Sequence, residues 1–268
     1  MAKQFDILVV DDESVIINAV DKICSAEGLK VDTSPDAGGA LAKVEKNSYR
    51  LIISDIMMPD IDGFQFLDTL LKMKINTPVI ITTGFSTVEN AVKSLYNGAI
   101  DFIPKPFSAD ELLSSVSRGL KYVDIQKKLI ESKISVNDAS IIYVPCPAKY
   151  FRLGYASWAA AGNSGSVLIG VTDLFLRTID SISEIELSSV DSEIVQGNAC
   201  AQVKSKDDLI HTILSPVSGK ILERNTRLLT DTSIVEKDPY FNGWFYRIIP
   251  SDNEFELTQL IPCSSDRL

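Results

Sequence analysis

Five side chains of complementary chemistry close four short apolar runs within the first 105 residues. Phe5–Val10 runs into Asp11 and Asp12, Leu51–Ser54 into Asp55, Val79–Thr82 into Thr83, and Phe102–Ile103 into Pro104 and Lys105. Brought together, these ends would set three carboxylates beside a hydroxyl and an ammonium. At ~5 Å and an effective dielectric of ~20, each pair of carboxylates repels by roughly 3 kcal/mol. Such repulsion favours capture of a hard divalent cation, and carboxylate oxygens completed by water suit Mg²⁺. Glu13 reads instead as a helix-start acid favoured by the helix dipole.

The elements that must position these groups follow from the same runs. Their β-branched, aliphatic composition reads as strands buried on both faces. Between them, Ser14–Glu27, Asp36–Lys46, Phe64–Met73 and Val88–Tyr96 carry helical apolar spacing, with Val15, Ile16, Ala19, Val20 and Ile23 on one face of the first. Leu29–Thr33 supplies a second short strand, and Ile100–Ile103 a fifth. The βα alternation predicts an α/β fold, a doubly wound parallel sheet with helices on both faces. Open sheets of this kind bind ligands at the carboxyl ends of their strands, where all five groups fall. Thr82 would point to the opposite face from Thr83.

The acidic pair, the Asp-x-x-Met-Pro-x-x-x-Gly pattern from Asp55 to Gly63, Thr83-Gly84 and Lys105-Pro106 together resemble the receiver domain of two-component response regulators. The resemblance covers about the first 120 residues and implies a flavodoxin-like receiver. It implies that Asp12 and Asp55 ligate Mg²⁺ directly, Asp11 through water and Met57 through its backbone carbonyl. Asp55 would then take a phosphoryl group from a phosphohistidine of a sensor histidine kinase, with Lys105 neutralising charge. Thr83 would be the switch hydroxyl, because Gly84 follows it as in the family, and Phe102 would be the switch aromatic.

Composition narrows the rest. The chain has 268 residues and a formal charge of −10, and residues 137–268 carry 17 acidic against 11 basic side chains. An acidic second half would repel phosphates, which disfavours a DNA-binding output. No apolar run is long enough to span a bilayer and the start is no signal peptide, so a cytoplasmic protein with no membrane role is expected. Cys24, Cys146, Cys200 and Cys263 lack metal or redox spacing and read as small buried hydrophobes. The single His211 offers no metal cluster.

Ser108 and Glu111 form a capping box, and the helix they start can run to about Lys133. Leu113, Val116, Leu120, Val123, Ile130 and Ile134 recur at 3–4 spacing, broken by Lys127. Two readings stay open: an amphipathic helix packing on the sheet and then fraying, or a dimerising, signal-transmitting helix. Beyond Asn137–Ser140 the chain turns to short β-rich segments. Ser157-Trp158, Ser166–Leu174, Ile185–Leu187, Ile194–Gly197, Leu214–Asn225 and Asp238–Phe245 together resemble the glycine cleavage system H protein. That resemblance implies a mainly-β barrel-sandwich hybrid domain of lipoyl/biotinyl type.

The expected organisation is a receiver over 1–122, a helical connector over 123–136 and an H-protein-like domain over 137–268. The family carries lipoate on a lysine at a β-hairpin tip. Counting along this chain puts Asp207 or Asp208 there, with Lys206 adjacent but out of register and Lys204 at the family's glutamate position. A carboxylate cannot form the lipoyl amide, so no lipoate is expected and the expected output is a protein-interaction module for an unknown downstream partner. The alternative is a phosphorylation-gated lipoyl carrier using Lys206. The receiver would catalyse only its own phosphoryl transfer and dephosphorylation, and the connector could support a homodimer.

Overall fold

The structure, a computed structural model, describes residues 3–85, 87–134 and 142–267. The expected 136/137 boundary and the Asn137–Ser140 segment lie outside the described residues.

Strand β1 (Gln4–Val10), helix α1 (Ser14–Ala26), β2 (Val31–Ser34), α2 (Ala37–Val44), β3 (Ser48–Asp55), α3 (Gly63–Lys72), β4 (Val79–Thr83), α4 (Val88–Tyr96) and β5 (Asp101–Pro104) alternate as expected. The five strands form one parallel sheet in the order β2-β1-β3-β4-β5. Leu8, Val10, Ile52 and Ile81 pack on one face, and Ile7, Val9, Leu51, Ile53 and Ile80 on the other. Burial on both faces explains why these strands read as continuous apolar runs rather than alternating ones. In the ladder Val10 pairs with Ser54, Asp55 with Thr82 and Thr83 with Pro104, so the functional ends are level. Two details differ from the sequence expectation. Val15, expected inward, is 74% exposed because it sits on the solvent side of the first turn of α1. Strand β5 starts one residue later, at Asp101.

Helix α5 (Ala109–Ile134) is a single helix of 26 residues. The capping box is present: Ser108 N donates to Glu111 Oε2 at 2.7 Å and Glu111 N to Ser108 Oγ at 3.2 Å. One face, with Leu112 and Val116, packs on the receiver sheet, and Gly119 lets the helix approach Leu51 closely. The opposite face is covered too. This double burial replaces the expected single stripe, and Leu113 is only half-buried. Past Ile125 the helix emerges, and Ile130 is 62% exposed.

The second half is mainly antiparallel β structure. One seven-stranded sheet runs β10 (Glu193–Ile194), β13 (Gly219–Arg224), β14 (Tyr246–Pro250), β8 (Val167–Val171), β7 (Ser157–Ala161), β6 (Phe151–Leu153) and β15 (Ile261–Pro262). A second, three-stranded sheet runs β12 (Ile210–Leu214), β11 (Ala199–Ser205) and β9 (Ile182–Leu187). Short helices α6 (Asp173–Thr178), α7 (Ser233–Lys237) and α8 (Asn253–Leu257) fill the connections. Trp158 is fully buried, and its indole N–H donates to Val171 O at 2.9 Å. A Cβ on Gly170 would stand 2.7 Å from that indole, which is why the paired strand carries glycine there.

Candidate functional site

Asp11, Asp12 and Asp55 converge at the carboxyl end of the receiver sheet, with one ligand atom from each lying within 4.8 Å of the others. Asp11 and Asp55 are buried, while Asp12 faces solvent. Lys105 reaches back from the end of β5, placing Nζ 2.7 Å from Asp11 Oδ2 and 3.0 Å from Asp55 Oδ1. Glu13, expected only as a helix-start acid, stands at the N-cap position of α1 without a side-chain capping bond, and its carboxylate lies 3.5 Å from the same ammonium.

The local backbone fixes these groups. Asp11 Oδ1 accepts from Glu13 N at 3.0 Å, and Asp55 Oδ2 accepts from Met57 N at 2.9 Å. A Cβ on Gly63 would lie 2.3 Å from the Asp55 carbonyl oxygen, so only glycine lets α3 begin against the end of β3. The α3 start is locked by a reciprocal Asp62–Gln65 capping box. The Lys105-Pro106 bond is cis.

Burial pushes the Asp11 carboxyl above its ordinary value, despite the lowering effect of Lys105 and of the Glu13 N–H. Burial would also pull the Lys105 ammonium down, but the paired Asp11 and Asp55 carboxylates outweigh it and hold Lys105 above its ordinary value. One oxygen stands out. Asp55 Oδ1 is buried and, among the described residues, meets no well-aligned hydrogen-bond donor; its partner is the Lys105 ammonium, 3.0 Å away as an ion pair. A buried carboxylate oxygen normally finds donors or a cation. The three converging carboxylates, the solvent-facing Asp12 and an all-oxygen donor set fit a small hard cation such as Mg²⁺.

Thr83 is buried at the end of β4, and its hydroxyl accepts from Phe85 N at 3.1 Å. Thr82, also buried, reaches Ser54 O at 3.4 Å, consistent with opposite side-chain directions on the strand. Met57 is 53% exposed beside Asp55. Phe102 is half-buried on β5 and lines a cavity of about 410 Å³ between the two halves of the chain.

In the second half, Lys204 pairs with Ile210 across the β11–β12 hairpin, which centres the tip on Asp207. Asp208 takes a left-handed φ of 66° and its carboxylate meets Lys204 Nζ at 2.9 Å. Lys206 is exposed at the same tip, and its backbone N–H donates to Ser181 O at 2.8 Å.

A second polar cluster, absent from the sequence expectations, joins the halves. Arg118 of α5 pairs with Asp101 of β5 and donates from Nη1 to Ser114 Oγ at 2.6 Å and to His211 Nδ1 at 2.8 Å. Arginine only donates, so His211 Nδ1 accepts and its Nε2–H donates to Ser205 Oγ at 2.9 Å. Ser205 in turn donates to Asp207. Burial and the neighbouring Arg118 push His211 down to about 3, so it is neutral here at neutral pH. A lone arginine and a lone histidine carry no spacing signal, so this cluster could be found only from their packing.

Comparison with known proteins agrees with both resemblances. Residues 7–117 match the response regulator receiver domain family and residues 149–264 the glycine cleavage H-protein family. The nitrogen assimilation regulatory protein NtrX of Azorhizobium caulinodans is 37% identical over 130 residues, covering 48% of this chain and 29% of the relative. The chain spans less than half the length of the curated relatives it matches. Among solved structures, the receiver domain of the Francisella response regulator 1452 is 36% identical, covering 44% of this chain and 97% of that one, with a TM-score of 0.42. The glycine cleavage system H protein of Mycobacterium marinum is 24% identical, covering 45% of this chain and 94% of that one, with a TM-score of 0.40. No helix among the described residues is long and apolar enough to cross a membrane. The chain therefore combines a response regulator receiver domain with a glycine cleavage H-protein-like domain.

Proposed function

We propose that this chain is a cytoplasmic phosphorelay response regulator, phosphorylated on Asp55, whose H-protein-like domain is a protein-interaction output rather than a DNA-binding one. The observation that carries the reading is the buried Asp55 carboxylate, with one oxygen fixed by Met57 N–H and the other facing the Lys105 ammonium at 3.0 Å beside Asp11 and Asp12. The working division is a receiver over 1–122, a connector over 123–136 and an output over 137–268.

In this reading Asp55 attacks the phosphorus of a phosphohistidine on a sensor histidine kinase. The P–N bond breaks as the P–O bond forms, and the imidazole leaves. Asp12, Asp55 and the Met57 carbonyl would hold Mg²⁺, with Asp11 acting through water; the bound ion would neutralise charge on the transferring group. Lys105 supplies a second positive charge, already buried and oriented. Thr83 would donate to a phosphate oxygen, and Phe102 would respond from the neighbouring strand. The receiver would catalyse nothing beyond its own phosphoryl transfer and hydrolysis. A homodimer through the connector would use the emerging end of α5, where Ile130 is exposed.

Incubation with acetyl phosphate and Mg²⁺ tests this directly by intact mass. One acid-labile phosphate per chain is expected, and none when EDTA removes the cation. Uptake that ignores EDTA would contradict the reading.

A second reading, the gated lipoyl carrier, draws on Lys206 being exposed at the hairpin tip. The centre of that tip is Asp207, flanked by Asp208, and neither can form the amide. Chain expressed in a lipoylation-competent host with added lipoate is expected at its unmodified mass. A lipoyl adduct lost in Lys206→Ala would establish the carrier instead. The acidic output favours a downstream partner with a basic patch, and its binding should weaken with salt.

A further inference from the structure

The two halves of the chain close on a cavity. Gly197, at a left-handed φ of 78°, lies against α4, where a Cβ on it would stand 2.8 Å from Val92 Cγ2. Ser114 of α5 donates to Ile210 O of the β11–β12 hairpin at 2.9 Å. Beside these contacts the surfaces part to leave about 410 Å³. That volume falls within the range of small-molecule sites, which favour domain interfaces. None of Asp11, Asp12, Asp55 and Lys105 lines it, so the cavity stands apart from the reading of Asp55 as phosphoacceptor.

Its two walls differ in kind. Val88 and Ala91 of α4, with Phe102 and Pro104 of β5, give an apolar wall that includes a half-buried aromatic ring. The facing wall belongs to the hairpin. Gln202 and Thr212 are exposed cross-strand partners there, and exposed Asn198 stands just before β11. Among the described residues, the side chains of Asn198, Gln202 and Thr212 meet no hydrogen-bonding partner. The charged groups are by contrast committed. Arg118, the only cation among the described lining residues, is held by Asp101, Ser114 and His211. Asp101 also accepts from Ser115, and Glu111 spends Oε2 on Ser108.

We propose that this cavity binds an uncharged heterocycle of nucleobase or nucleoside size, with its ring face on the Phe102 wall and its polar edge on Gln202. A carboxamide offers an acceptor and a donor side by side, which match an exocyclic amine next to a ring nitrogen. A flat ring covers the apolar wall, and stacking on an aromatic side chain tolerates any base. Asn198 and Thr212 would meet sugar hydroxyls, and Glu111 Oε1 an amine at the rim. The same lining disfavours a phosphate, which would face Asp101 and Glu111 while Arg118 is already paired. A purely apolar ligand would cover the Gln202 carboxamide and leave it without a partner, which costs affinity.

The test is titration of the full chain, followed by saturation-transfer NMR, with adenosine, cytidine, adenosine 5′-monophosphate and indole. At least one nucleoside should bind, and the monophosphate and indole should each bind about tenfold more weakly than it does. Gln202→Leu keeps the size of the side chain and should weaken nucleoside binding about tenfold. Ala199→Phe fills the cavity from an exposed strand position and should abolish it. Both positions are exposed, so the fold survives either change. Binding by neither nucleoside, or unchanged binding in either variant, would overturn the site. Equal or tighter binding of the monophosphate would make it an anion site, and equal binding of indole a merely apolar cleft; each would overturn the assignment.

Discussion

An Asp55→Asn chain is expected to take up no phosphate above the donor background, while remaining folded. The amide has the same shape and its oxygen can still accept the Met57 N–H now held at 2.9 Å. It lacks the anionic oxygen that attacks phosphorus, so the loss should be complete rather than graded. The other carboxylates are poor substitutes. Asp11 is pinned by Lys105 at 2.7 Å and by Glu13 N at 3.0 Å, and Asp12 is exposed to water. Lys105 retains Asp11 as its partner in the variant, so the fold keeps a buried ion pair. Labelling undiminished relative to the unsubstituted chain would remove Asp55 from the account.

Lys105→Ala should be the most damaging single change to the receiver that spares the nucleophile. The Lys105, Asp11 and Asp55 side chains are 8%, 2% and 4% exposed, so its removal leaves two buried carboxylates facing each other with no cation. Breaking a buried pair in this way costs about 3–5 kcal/mol. Urea unfolding without divalent cation should show a loss of that order. Millimolar Mg²⁺ should restore more stability to the variant than it adds to the parent, because the ion relieves a repulsion that Lys105 otherwise screens. Phosphate uptake should nevertheless stay about 100-fold slower, since one preorganised positive charge at the transferring group is gone. Equal responses of the two chains to Mg²⁺ would contradict this division of labour.

The strand ends were readable because the fold forces a simple pattern. A parallel strand buried on both faces must be apolar throughout, so the first polar residue marks its exit and, here, the site. The hairpin tip was readable through its register, since Asp207 and Asp208 occupy the turn on either count. Periodicity failed where a face has two neighbours. Helix α5 buries Leu112 and Val116 on the sheet and Ser114 and Arg118 against β12, so its buried residues form no single apolar stripe. Val15 failed for the opposite reason, an apolar side chain at a helix start with nothing above it. The inter-domain cluster was not readable at all. Arg118 and His211 lie 93 residues apart, and neither charge type nor spacing announces a partner.

The most direct measurement is the position of the phosphate. Borohydride reduction of the phosphorylated chain converts an acyl phosphate to an alcohol, and peptide mass mapping then locates the altered residue. The change is expected at Asp55 alone, dependent on Mg²⁺ during labelling. Modification at Asp11, Asp12 or any residue other than Asp55 would contradict it.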